Sequence, residues 1–147
     1  MSLLEKIVEG STIKYSEQNY KVLGKAIYST RNDPGSTYAK ILLEGHYVLV
    51  IVPDEMAYLG VNKGRIPEFD SFSDVVVYQG QKLQQVNHDY QVRLSLEFGS
   101  PSDVEDNVEF WDYEIDDTII SIAEVEGTKE RADVVAKYIA FDDLEVV

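Results

Sequence analysis

Residues 40–51 read KILLEGHYVLVI, and this stretch decides the fold class. Two runs of aliphatic and β-branched residues flank Glu44 and Gly45, and glycine readily adopts the positive φ of a tight hairpin turn. The run 47–52 has no charged position, so it predicts a central strand that is covered on both faces. Pro53 ends this strand, because proline has no N–H to donate to a ladder.

The rest of the chain also has patterns that are typical of strands and hairpins. Residues 111–125, WDYEIDDTIISIAEV, predict a second hairpin, and period-two alternation predicts strands in residues 20–28 and 86–98. Residues 131–140 fit helical spacing and strand spacing equally, but their β-branched and aromatic content favours a strand. Residues 3–8 predict a short N-terminal helix that plugs one end of the fold. We therefore expect an all-β, mostly antiparallel, barrel-like or sandwich-like domain of about ten short strands.

A weak internal similarity divides the chain. Residues 13–20 match residues 76–83 in hydrophobic pattern and share a tyrosine and a glutamine at equivalent places. This predicts two related halves, residues 11–61 and 74–140, inside a single domain that spans residues 1–147. Short β patterns also align by chance, so the alternative is a coincidence of alternation.

Composition excludes several classes of protein. The chain has 147 residues, with 27 acidic and 13 basic side chains and a formal net charge of −14. Nucleic-acid binding is not expected, because a negative field opposes phosphate contacts. The absence of cysteine excludes a disulfide scaffold, and no apolar run has the length of a membrane span. The first residues lack the pattern of a secretory signal, so we expect a cytoplasmic protein.

The negative charge is concentrated in residues 97–147, which hold 16 acidic and 3 basic side chains. One interpretation is a solvated outer face that keeps the protein soluble. The other is a docking surface for a basic protein or a polyamine, with an aromatic anchor beside the carboxylates. The candidate binding residues are Trp111, Asp112, Tyr113, Glu114, Asp116 and Asp117. Strand alternation places Asp112, Glu114 and Asp116 on one face of the hairpin, and Trp111, Tyr113 and Ile115 on the other.

The sequence predicts no motif for catalysis, metal binding or a cofactor. Asp103, Glu105, Asn107 and Glu114 have the spacing of a calcium loop, but Val108 occupies the position where the sharp turn requires glycine. The two histidines belong to no ligand pair, and the chain has neither a nucleophile elbow nor a phosphate-binding loop. The ten tyrosines mostly occupy strand positions, so they predict sheet packing rather than a stacking platform.

Two alternatives to a docking module stay open. The first is an enzyme or small-molecule binder whose pocket inside the barrel is lined by carboxylates and His88. The second is an acidic inhibitor or immunity protein that blocks a cationic enzyme. Edge strands in such a domain also permit a dimer.

Five stretches of the chain carry a family resemblance. In the first half they are residues 15–28 (YSEQNYKVLGKAIY), 38–45 (YAKILLEG) and 58–60 (YLG). In the second half they are residues 76–86 (VVYQGQKLQQV) and 110–127 (FWDYEIDDTIISIAEVEG). In these stretches the chain resembles a bacterial domain family of unknown function. The sequence departs from the family at Tyr38, where many relatives carry tryptophan. The resemblance implies an all-β fold without assigned catalytic residues. Genes of the family sometimes lie near polyamine-synthesis or membrane-stress genes, which implies a cationic small molecule or a protein as partner.

Overall fold

The computed structural model describes residues 2–99 and 107–147. A short helix, α1 (Leu3–Lys6), precedes the strands, and 3-10 helices span Pro67–Phe69 and Phe141–Asp143. In chain order the strands are β1 (Thr12–Tyr15), β2 (Gln18–Thr30), β3 (Tyr38–Leu43), β4 (Tyr47–Val52), β5 (Met56–Gly64), β6 (Val75–Tyr78), β7 (Gln81–Phe98), β8 (Val108–Ile115), β9 (Thr118–Val125), β10 (Asp133–Ile139) and β11 (Glu145–Val146). The all-β prediction is confirmed, and the ambiguous segment 131–140 contains a strand.

Eight of the described strands close into an antiparallel barrel. β2 to β5 form one meander and β7 to β10 form a second, and the two join through the pairs β5–β10 and β2–β7. Of the two expected architectures, the structure is thus the barrel. Its strand order leaves three strands between β4 and β8 in either direction, so these two strands face each other across the interior.

Each half of the chain contributes a short strand, a long strand, a hairpin and a fourth barrel strand. The turn between β1 and β2 has positive φ at Ser16 and Glu17, and the turn between β6 and β7 has it at Gln79 and Gly80. These turns occupy matching places in the alignment of residues 13–20 with 76–83. The topology is compatible with related halves, while their common origin stays a prediction.

Both meanders are covered on the outside of the barrel. Outward apolar side chains of β3 to β5 pack against α1, β1, the 3-10 helix at Phe141–Asp143 and β11. The resulting cluster includes Ile7, Ile41, Leu49 and Leu144. The predicted helix therefore exists, but it lies on the outer face of the barrel and does not plug an end. Residues 66–72 and β6 cover the second meander, in a cluster centred on Phe69 and Tyr113.

A buried carboxylate attaches the segment 66–72, which covers the second meander, to the barrel. Asp133 is fully buried, and its Oδ2 accepts hydrogen bonds from the Ile66 N–H at 2.8 Å and from Arg131 Nη2 at 2.6 Å. Arg131 also donates to Asp70 at 3.1 Å, which is on the covering segment. A buried ion pair of this kind is costly to break, because either partner alone would be an uncompensated charge.

β5 and β10 join the two meanders, and we call this junction the seam. The backbones of the two strands approach each other closely at Gly60 of β5. A Cβ atom at this position would lie 2.3 Å from the carbonyl oxygen of Val135 and 2.4 Å from the Cβ of Ala136. No side chain fits at such distances, so glycine allows β5 and β10 to pair and the barrel to close.

Candidate functional site

The barrel encloses a cavity of about 450 Å³ at one end. Its lining includes Thr30, the last residue of β2, and Tyr38, the first of β3. It also includes Val52 at the end of β4 and Met56 at the start of β5. These four residues are neighbouring strand ends, so they mark the mouth of the cavity. An eight-stranded barrel is wide enough to hold one small ligand in such a position.

The polar side chains of the cavity are concentrated on one wall. Strands β7, β8 and β9 form this polar wall and contribute Asn87, Gln91, Asp112, Glu114 and Ser121, together with the apolar Val86, Phe110 and Ile119. Strands β4 and β5, on the other side of the barrel, contribute Val50, Val52, Met56 and Tyr58. A few polar groups converging on an otherwise apolar concave surface are typical of small-molecule sites.

Asp112 is the central group of the polar wall. It is paired in the sheet with Asn87 on one side and with Ser121 on the other. Burial raises the pKa of Asp112 to about 6, against the opposing effects of hydrogen bonding from Ser121 and Asn87 and of the positive charge of Lys40. Its Oδ1 atom is buried and has no hydrogen-bond partner among the described residues. A buried acceptor without a donor is unfavourable, and a carboxylate without one is more so.

Glu114 lies two residues closer to the mouth on the same strand. It accepts a hydrogen bond from the hydroxyl of Tyr138 on β10. Burial and the adjacent Glu114 carboxylate raise the pKa of the Tyr138 hydroxyl, so Tyr138 remains protonated and acts as a donor. The ring of Tyr138 meets that of Tyr58 edge-on, with centroids 6.1 Å apart. This contact fixes the orientation of the hydroxyl toward Glu114.

Lys40 is the cation of the cavity lining. Its Nζ atom lies 5.5 Å from the centroid of the Tyr28 ring, and its charge lowers the pKa of Asp112. The ionisable groups that face the cavity are Lys40, Asp112, Glu114, Tyr38, Tyr58 and Tyr138. Two of these groups are carboxyl groups, Asp112 and Glu114, and one is an amino group, Lys40, so the described lining has one more carboxyl group than amino groups.

The aromatic candidates from the hairpin lie on the outer face of the barrel. Trp111 is 8% exposed and is held between Phe72 and His88, with ring centroids 3.9 Å and 5.0 Å away. Tyr113 is 0% exposed, and its hydroxyl donates to the Ser73 carbonyl at 2.7 Å. Both side chains fasten the segment 66–73 to the barrel.

The remaining two candidates occupy the hairpin turn. Asp116 and Asp117 are exposed and line the edge of an outer groove of about 490 Å³. This groove runs over Gly60 and Val135, outside the barrel wall. The six predicted residues are thus divided among three places, and only Asp112 and Glu114 share a cavity.

Two expectations need correction. The acidic face of the hairpin was expected to be solvated, but Asp112 and Glu114 line the interior because the aromatic face of β8 is covered from outside. The carboxylate-lined pocket was expected to include His88. His88 instead stacks on Trp111 outside the barrel and contacts Glu109 at 2.7 Å.

Residues 103–106 of the calcium-like spacing lie outside the described residues. Within residues 2–99 and 107–147, no group of three or more His, Asp or Glu side chains is arranged to hold a metal ion. The same part of the chain has no helix with the length and hydrophobicity that crossing a membrane requires.

Sequence reasoning did not single out Lys40, Asn87, Ser121 or Tyr138 as site residues. Lys40 carried a usable signal, because it is a charged residue at a strand position that alternates with the outward-facing Ala39 and Ile41. Once those neighbours are known to be covered from outside, Lys40 must point into the barrel.

Comparison of the chain with protein-family models, with curated proteins and with solved structures finds no match. The resemblance to a bacterial family of unknown function therefore stays a prediction.

Proposed function

We propose that this protein is a non-enzymatic, cytoplasmic binding module that holds a small organic cation in the barrel cavity. The observation that carries the proposal is the buried carboxylate of Asp112, whose Oδ1 has no donor among the described residues. A cation in the cavity would supply a positive charge beside this carboxylate. A polyamine, as expected from the acidic sequence, is one possible ligand. It would contact the inner face of the hairpin and not the outer surface.

The geometry favours a small molecule over a protein at this position. Asp112 and Glu114 lie inside a cavity of about 450 Å³, which admits a drug-sized ligand but not a folded partner. Charges inside a cavity are also screened less by salt than exposed charges are. Binding there should therefore persist at moderate ionic strength.

The test is a thermal-shift and calorimetric screen of the full chain with spermidine, agmatine and phenethylamine. A ligand that binds the folded state alone raises the melting temperature by mass action. We expect at least one of these cations to bind, Asp112→Asn to abolish the effect, and Asp116→Asn to preserve it. Asp116→Asn is a matched control, because it removes the same charge from the exposed turn, and asparagine accepts the positive φ of 51° at that position. If none of the three cations binds, the proposal is wrong.

Recovery of the bound compound by mass spectrometry separates binding from catalysis. An unchanged compound supports the non-enzymatic proposal. A modified compound would instead favour the enzymatic alternative for the same cavity.

A second candidate function is favoured by the exposure of Asp116 and Asp117 at the hairpin turn. These two carboxylates could dock a basic protein, including a cationic enzyme that the chain inhibits. A lysine-rich peptide would then bind the native chain at low salt, lose affinity at moderate salt, and fail to bind the Asp116→Asn/Asp117→Asn variant.

A further inference from the structure

We infer that the ligand of the barrel cavity is a monovalent primary amine attached to an apolar body. Its ammonium group would lie at Asp112 on β8, and its apolar part would lie against Val50 and Val52 on β4. This inference rests on the proposed function, because it names the chemical class of ligand for the same cavity.

The arrangement of the two walls sets the shape of the ligand. β8 faces β4 across the barrel, so the carboxylates of Asp112 and Glu114 are opposite Val50 and Val52. A ligand that spans the cavity therefore meets the two carboxylates at one side and the valines at the other, where Lys40 of β3 is the sheet partner of Val50. A polyamine with charges along its whole length would place an ammonium group against the valines, where it would lose hydration without gaining a partner.

The charge balance of the lining sets the valence of the ligand. Two carboxyl groups, Asp112 and Glu114, are opposed by one amino group, Lys40, so the described lining has an excess of one acidic group. Glu114 already accepts a hydrogen bond from Tyr138, whereas Asp112 Oδ1 has no donor. A single positive charge neutralises this excess, and further charges would be buried without compensation.

The carboxylates set the type of cation. Carboxylate oxygens accept hydrogen bonds from N–H groups, which a primary ammonium has and a quaternary ammonium lacks. Tyr58 and Tyr138 flank the cavity and offer ring surface to the apolar body of the ligand.

Isothermal titration calorimetry on the full chain at pH 8 tests the inference with four related compounds. Phenethylamine is compared with 2-phenylethanol, which lacks the charge, with trimethyl(phenethyl)ammonium, which lacks the N–H, and with spermidine. We expect phenethylamine to bind at one site, and each of the other three to bind about tenfold more weakly or worse. In the protein, Val52→Thr should weaken phenethylamine several-fold, because it places a hydroxyl on the apolar wall with little change in volume.

The possible failures have distinct meanings. Tighter binding of spermidine than of phenethylamine, still dependent on Asp112, would overturn the monovalent class and leave the proposed function intact. Equal binding of phenethylamine and its trimethyl analogue would overturn the role of the N–H group. Equal binding of 2-phenylethanol, or no binding of any cation, would overturn this inference and the proposed function together.

Discussion

Replacement of Asp112 by asparagine should stabilise the protein, and by an amount that depends on pH. Burial raises the pKa of Asp112 from its ordinary 3.8 to about 6 in the folded protein. The folded state thus binds this proton more tightly than the unfolded state does, so the free energy of unfolding falls as pH rises from about 4 to about 6. The complete penalty is about 3 kcal/mol, since one pKa unit corresponds to about 1.4 kcal/mol.

Asparagine removes the charge but keeps the shape and the polar contacts with Asn87 and Ser121. We therefore expect Asp112→Asn to exceed the native chain in unfolding free energy by about 3 kcal/mol at pH 8 and by about 1 kcal/mol at pH 4.5. Urea unfolding of both proteins, followed by the fluorescence of the single tryptophan, measures this difference at each pH. The titration of all other groups cancels in the comparison, provided that the ligand is absent.

The control is Asp116→Asn, which removes a carboxylate from the exposed turn and should change stability by less than about 0.5 kcal/mol at every pH. A difference between the native chain and Asp112→Asn that does not vary with pH would refute the reasoning. So would a variant that is less stable than the native chain at pH 8, because the carboxylate would then be a stabilising group.

Two further predictions concern the cavity and the barrel seam. Lys40→Met should raise the pKa of Asp112 above about 6, because the lysine charge lowers it, and carbon-13 NMR of the Asp112 carboxyl measures this. Lys137→Met, an exposed change on β10, should leave that pKa unchanged. Gly60→Ala should destabilise the fold by about 3 kcal/mol in urea unfolding, since its Cβ would lie 2.3 Å from the Val135 carbonyl oxygen. Gly35→Ala, with no atom within 4 Å of its Cβ, is the control, and equal effects of the two changes would contradict the role of the seam.

Much of the local structure could be predicted because its causes are local. The turn at Glu44 and Gly45, the uncharged run of β4 and the hairpin turn at Asp116 all lie where the sequence places them. Turn chemistry and period-two alternation act between residues that are close in the chain, so a single sequence contains the information.

The separation of Asp112 and Glu114 from Trp111 and Tyr113 could be predicted for the same reason. Neighbouring residues of a strand point to opposite faces, whatever those faces contact. Whether each face contacts solvent or protein could not be predicted from the strand. Carboxylates usually face water, and they would face water in an isolated hairpin.

The sequence by itself determined the strands, the turns and the sharing of one face by Asp112 and Glu114. The tertiary structure alone decided that this face lines a cavity. Residues 66–72 and β6, which are distant in the chain, bury Trp111 and Tyr113 from outside. Closure of the barrel through β2–β7 and β5–β10 then brings the carboxylates opposite the valines of β4. The physical reason is that burial of a face depends on what packs against it, and those contacts join segments that local pattern does not relate.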